Sequence, residues 1–184
     1  MNKIKLLAIV AVLFASIGTV SAQKTGYISL DQVVYLMPET GKIDTLLQRY
    51  QADSLNPQFA YMVSEYNRKD SMISTKDSVK YQVSVRNQVR QELEGLAYQI
   101  QNWQGIVQNA MQSKQNELLE PIYRKAMNAL NAAAKENGYS YVYNKEALLV
   151  APPADDLLPL VAKKLNIKLP ATAAANPPAG TPKK

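Results

Sequence analysis

From Val89 to Ala110 the apolar residues fall at Val89, Leu93, Leu96, Ile100, Trp103, Val107 and Ala110, in alternating steps of four and three. A period of 3.5 residues keeps one stripe turned toward a partner helix, so this stretch packs as a coiled-coil seam rather than as the face of a globule. A second helical run precedes it. Ile43, Leu47 and Tyr50 share a face; the seam then shifts by one residue and continues as Leu55, Phe59, Met62, Tyr66 and Ile73. Asn56-Pro57 sits at the shift, and a proline there predicts a kink or a restart of the helix. Ser71–Ser78 between the runs is polar and rich in Ser and Thr, as a turn would be. Two long helices joined by one turn fold back as an antiparallel hairpin with its tip near residues 71–82. Glu39–Ser74 is 36 residues and Val83–Leu119, up to a break expected before Pro121, is 37. Each spans about 55 Å at 1.5 Å per residue. The seam is irregular at Met111–Lys114 and resumes at Leu118, Ile122, Ala126, Ala129 and Ala133, with Gly138 as a stop.

The flanks read differently. Gly26–Leu30 alternates as a short strand, and Asp31 is placed to N-cap a helix over Gln32–Met37. Tyr139–Tyr143 and Leu148–Ala151 read as two further strands. Asp155-Asp156 then opens a small amphipathic helix bearing Leu157, Leu160, Val161 and Leu165 on one face. The fold class expected is α+β, mainly α: a helical arm over residues 39–120 on a small β-rich body formed by 23–38 and 121–169. A body of about 65 residues buries little surface alone. Strands contributed by several chains to one sheet would complete it, so cyclic assembly is expected. Residues 170–184, rich in Pro and Ala, have nothing to bury and read as a disordered tail.

Met1–Ala22 has the form of a secretory signal. Lys3 and Lys5 supply the charge, Leu6–Ile17 is apolar, and Val20-Ser21-Ala22 is a small-residue cleavage site, so the exported chain is expected to begin at Gln23. The apolar run is shorter than the roughly 20 residues a bilayer span needs. No cysteine follows it to carry a lipid.

Composition narrows the chemistry. The chain has no His and no Cys, which removes imidazole or thiolate zinc sites and Ser-His or Cys-His nucleophiles. There is no glycine-rich phosphate loop. The acidic pairs Asp155-Asp156 and Glu92-x-Glu94 do not share a helix face, so they do not make a catalytic pair. No enzyme activity, cofactor, metal or nucleic-acid partner is expected. The charge is local: without the signal the chain holds 19 basic against 15 acidic residues, and the window Asn67–Gln91 alone carries six basic and two acidic ones. Arg68, Lys69, Lys76, Lys80, Arg86 and Arg90 therefore form a candidate cationic rim at the hairpin tip, suited to acidic client segments or anionic headgroups. Such a cluster also serves simply to solvate a turn. Phe59, Tyr61, Met62, Tyr66 and Trp103 are candidates for apolar contact with a client, or else belong to the seam between the helices.

Five segments, in this order, resemble the Skp/OmpH family of periplasmic chaperones. They are Gly26-Tyr-Ile-Ser-Leu-Asp-Gln-Val-Val34, the long hairpin, Lys114-Gln-Asn-Glu-Leu-Leu-Glu-Pro-Ile122, Ala134-Lys-Glu-Asn-Gly-Tyr-Ser-Tyr-Val-Tyr143, and Asp156-Leu-Leu-Pro-Leu-Val-Ala-Lys-Lys-Leu-Asn-Ile167. The resemblance covers residues 24–168. It implies a homotrimer in which three chains share a β-barrel body carrying helical tentacles around a cavity. It implies also a periplasmic holdase that receives unfolded outer-membrane proteins without ATP. Asn56-Pro57 and the Pro/Ala tail depart from the family pattern. A structural coiled-coil envelope protein or adaptor with a single folded partner is the competing expectation; it accounts for the heptads and the signal, and less well for the short strands at both ends.

Overall fold

The computed structural model describes residues 23–74 and 76–169. The expected signal (1–22) and tail (170–184) lie outside the described residues. The fold is mainly helical α+β with one small sheet. The chain divides into two compact units, one formed by residues up to Ser29 with those from Ala129 onward, the other by Leu30–Asn128. The first boundary falls at the start of the short helix Leu30–Leu36 and the second inside the helix Trp103–Glu136, against expected limits at 38/39 and 120/121.

In the first unit, strand β1 (Lys24–Ile28) pairs in parallel with β2 (Tyr139–Asn144), from Lys24↔Tyr139 to Ile28↔Asn144, with one irregularity after Lys24. On its other edge β1 meets the segment before the last helix: Tyr27 bridges Asp156, and the Leu157 N–H donates to the Tyr27 carbonyl at 2.9 Å. β1 is thus central, and its residues 26–28 are buried. Gly26 is required here. A Cβ would lie 2.2 Å from Leu157 Cδ1 and 2.8 Å from Tyr139 Cε1, so the missing side chain lets both neighbours close over the strand. The strand begins and ends two residues earlier than the alternation suggested.

Leu148–Ala151 is not a strand. A 3-10 turn, Lys145–Ala147, follows β2, and the chain then runs without regular structure to a second 3-10 turn, Pro153–Asp155. Pro152-Pro153 lack the N–H groups a ladder would use, and the place beside β1 is taken by Asp156. The closing helix runs over Leu158–Leu165. The Leu158 N–H donates to Asp156 Oδ1 at 2.8 Å, Lys163 and Lys164 lie in the last turn, and Asn166 ends it in the left-handed region at φ 54°. Leu157 and Val161 are fully buried.

The second unit opens with helix α1 (Leu30–Leu36). Asp31 is not its N-cap but lies in its first turn, where its Oδ1 accepts the Tyr123 hydroxyl at 2.6 Å. A 3-10 turn, Thr40–Lys42, leads into α2 (Ile43–Tyr50), a π turn (Gln51–Leu55) and α3 (Asn56–Ser74). The chain neither stops nor restarts at Asn56-Pro57. The Asn56 N–H bonds to the Gln51 carbonyl five residues back, so the turn holds one extra residue. That extra residue is the shift in the seam: the step from Tyr50 to Leu55 is five, and the wide turn keeps the buried Leu55 on the inner face.

After a 3-10 turn (Lys76–Lys80) come α4 (Val83–Gln101) and α5 (Trp103–Glu136). The break expected before Pro121 does not occur, because α5 runs through it. Pro121 removes one bond, to the carbonyl four residues back, on an exposed face, while Ile122 and Ala126 beside it are buried and hold the helix in place. The interruption falls at Asn102 instead. Its side-chain amide donates to the Tyr98 carbonyl at 2.8 Å, alongside its own backbone N–H at 3.0 Å, a local competition typical of Asn. The closing helix Leu158–Leu165 is α6.

Candidate functional site: the paired helices and their basic end

Within the helical unit, α3 and α4 meet along contacts that step forward on one helix and backward on the other. Phe59 stacks on Trp103, the first residue of α5, with ring centroids 5.4 Å apart and planes at 29°. Farther on, Lys69 Nζ reaches Glu92 Oε2 at 2.5 Å. Between and beyond these lie the buried Met62, Leu93 and Val89. The order of contacts is that of antiparallel neighbours.

This geometry sorts the apolar candidates. Met62 is only 6% exposed and belongs to the seam. Phe59 and Trp103 face each other, and Tyr66 is half-buried. Tyr61, at 66% exposure, presents its ring to solvent. A large residue at heptad spacing is recruited first by the partner helix, and of the five only Tyr61 stands off that spacing.

The basic candidates divide as well. Arg68 makes two 2.9 Å hydrogen bonds to Glu65, and the Lys69 ammonium is bound to Glu92. The Lys69 hydrogen bond, helped by that of Gln88, holds the Glu92 carboxyl below its ordinary value; Arg68 does the same for Glu65. Glu65 and Glu92 lie just outside the window Asn67–Gln91, so a count within that window overstates the free charge. Lys76 and Lys80 bound the 3-10 turn, and Arg86 and Arg90 lie in the first two turns of α4. Arg90 donates to the neutral Asn87 side chain at 3.2 Å and so keeps its charge uncompensated by that contact. The Arg86 Nε is buried and has no hydrogen-bond partner.

Helical periodicity missed the apolar side of this end. Val79, Tyr81, Val83 and Val85 are all exposed. The signal was available as an alternation of period two, which a search for steps of three and four passes over.

A third feature lies in the same unit. Met37, Ile43, Leu46, Leu118, Pro121 and Ile122 line an apolar groove of about 330 Å³ with Glu39, Lys42 and Lys125 at its margin. Lys125 binds Glu39 Oε1, and that hydrogen bond holds the Glu39 carboxyl below its usual range. In the strand unit, the edge of β2 away from β1 carries no partner strand among the described residues; Tyr141 and Tyr143 on β2, and Leu149 and Val150 after it, are exposed.

The family described as Outer membrane protein (OmpH-like) matches residues 24–165, which run from the first residue of β1 to the last of α6. The chain belongs to the OmpH-like family. Among solved structures, a crystal structure of a candidate outer membrane chaperone (OmpH-like) from Caulobacter crescentus CB15 is similar to it at 17% identity and a TM-score of 0.47, covering 79% of this chain and 85% of that one. No curated protein sequence matches significantly.

The OmpH-like match takes in both strands, the paired helices and the basic end, so no part of the site lies outside it. Among the described residues no group of three or more acidic side chains could hold a metal ion, and no helix is long and apolar enough to cross a membrane.

Proposed function

We propose that this OmpH-like protein is an ATP-independent periplasmic holdase: it binds unfolded outer-membrane proteins in a cavity between helical arms and prevents their aggregation. In this reading the antiparallel pair is the arm, and three chains complete one β-barrel body as a homotrimer. The observation that carries it is the combination of a self-satisfied helical pair with a sheet that, among the described residues, has no strand beyond β2. Met62, Val89 and Leu93 bury their own seam, so the arm holds together without a client. What is left for a client is the outer surface, Tyr61 and the apolar groove beside Pro121, where many weak contacts can form and dissolve. Leu149 and Val150, fully or nearly fully exposed, gain cover if neighbouring chains extend the sheet. The basic end, which carries Lys76, Lys80, Arg86 and Arg90, makes transient contact with an anionic membrane surface. Arg68 and Lys69, paired with acids, contribute less. A client leaves when its own folding in the membrane removes the surface the arms hold, so no nucleotide is needed.

The test uses the chain from Gln23 onward. An unfolded outer-membrane β-barrel protein is diluted from urea into buffer with increasing amounts of it, and scattering is recorded without ATP. Suppression that saturates near one oligomer per client is expected. Undiminished scattering at large excess, with the oligomer intact, would instead favour a structural coiled-coil role with one folded partner.

A further inference from the structure

Gln23 stands at a junction that the sequence and the fold define separately. In the sequence it follows Val20-Ser21-Ala22, the small-residue cleavage site, so removal of residues 1–22 makes it the first residue of the exported chain. In the fold it is the exposed residue just before β1, and Lys24 already pairs with Tyr139. One residue therefore separates the new chain end from the central strand of this unit.

That margin matters because β1 is held on both edges. Its residues 26–28 are buried, β2 runs along one side, and the Leu157 N–H bonds to the Tyr27 carbonyl on the other. At the start of the strand, Lys24 Nζ donates to the Asn137 carbonyl at 3.3 Å and lies 4.1 Å from the centre of the Tyr139 ring. An aminopeptidase that removed Gln23 would meet Lys24 next. Loss of Lys24 takes away the first pair of the ladder and both of these contacts.

Glutamine at a chain start carries the means of closing that end. Its α-amine, with a pKa of about 8, is partly uncharged at neutral pH and can attack the carboxamide carbon of its own side chain. A new C–N bond closes a five-membered lactam. The bond from that carbon to the amide nitrogen breaks, and the nitrogen leaves as ammonia with the proton given up by the amine. Nothing is oxidised or reduced, and no co-reactant is consumed. The fold leaves room for the ring, since Gln23 is exposed and outside the ladder. Nor does the fold rely on the charge that is lost: the negative end of α5 is already faced by Lys24 and Lys135.

We propose that Gln23 is a modification site: once residues 1–22 are removed, it cyclises to a pyroglutamyl residue that seals β1 against aminopeptidases. The proposal rests on cleavage after Ala22, which belongs to the periplasmic reading above. A chain end without a free amine gives such enzymes nothing to bind, so Lys24 keeps its place in the sheet.

The full chain, with its own residues 1–22, is exported from a Gram-negative host and purified from the periplasm. It is held at neutral pH until its intact mass no longer changes, and the N-terminal peptide is sequenced by mass spectrometry. We expect the mass of residues 23–184 less one ammonia, with the loss confined to Gln23. The variant Q23N keeps an amide but could close only a strained four-membered ring, so it should retain its full mass. On incubation with a broad-specificity aminopeptidase, the unaltered chain should stay intact. Q23N should lose residue 23 and then Lys24, with a lower thermal midpoint as the result. A chain that begins at Gln23 and keeps its ammonia overturns the modification and leaves the cleavage standing. A chain that begins elsewhere overturns both. Q23N that resists the aminopeptidase overturns the sealing role, because the fold alone then guards the strand.

Discussion

At Gly26 a hydrogen stands where a methyl group would press 2.2 Å from Leu157 Cδ1, with Tyr139 Cε1 and the Asp155 carbonyl on its other sides. The obstruction includes backbone and a fully buried leucine, neither of which swings away easily. Gly26→Ala is therefore expected to destabilise the fold by about 1–3 kcal/mol through overpacking. Urea unfolding followed by circular dichroism checks this; an unchanged midpoint would mean that Leu157 repacks freely. The same scale shows what residue identity alone conveys and what it does not. Arg68 and Lys69 read as free cations because their acids, Glu65 and Glu92, stand three residues away along one helix and across the pair on the next. The first of these partners is visible as a spacing. The second exists only once α3 and α4 are in register.

Among the elements, the long helices were the most legible part of the fold, because a heptad stripe repeats its information every turn. Their interruptions were not. The one-residue shift after Tyr50 was plain in the sequence, yet its position beside Asn56-Pro57 suggested a stop, whereas the chain absorbs it as a π turn. Pro121 suggested another stop, and burial of Ile122 and Ala126 overrides it. Leu148–Ala151 has strand composition and no place left beside β1. In each case a local preference lost to packing supplied from elsewhere in the chain. The π turn leads to a prediction. Deleting Ala52 shortens the step from Tyr50 to Leu55 to four, the ordinary helical step, so the turn reverts to α-helix with a change in stability under about 1 kcal/mol. Deleting Ala60 in α3 instead swings Phe59 away from Met62 by about 100° around the helix. It should lower the thermal midpoint markedly. Comparing the two deletions by thermal denaturation tests whether the π turn is a removable insertion; equal damage would show that it is not.

For the whole molecule, the strand unit leaves apolar side chains uncovered. Leu149 and Val150 have almost no cover, and the sheet has no strand beyond β2 among the described residues. An open edge with apolar neighbours is a place where chains join. If the homotrimer forms there, L149D/V150K should sediment as a monomer at micromolar concentration while the unaltered chain sediments as a trimer. A variant that stays trimeric would move the interface elsewhere. The candidate site was legible in part for the same reason. Charge at the basic end is a property of composition and could be counted, and the alternation from Val79 to Val85 could be read; that these residues and the β2 edge stay uncovered among the described residues is visible only in three dimensions.

The parallel pairing of β1 with β2 joins segments far apart in the chain: Lys24 Nζ donates to the Asn137 carbonyl across 113 residues. A strand made first must therefore wait, unpaired, until β2, more than a hundred residues later, has been made. Closing so long a span as loose coil is slow, although its entropic cost grows only by about 0.6 kcal/mol per doubling of length. Helices form from neighbours in sequence and need not wait. The helices are therefore expected to form first and the sheet to seal last. Any surface that depends on the finished sheet, including one shared between copies, forms only after β2 has paired with β1.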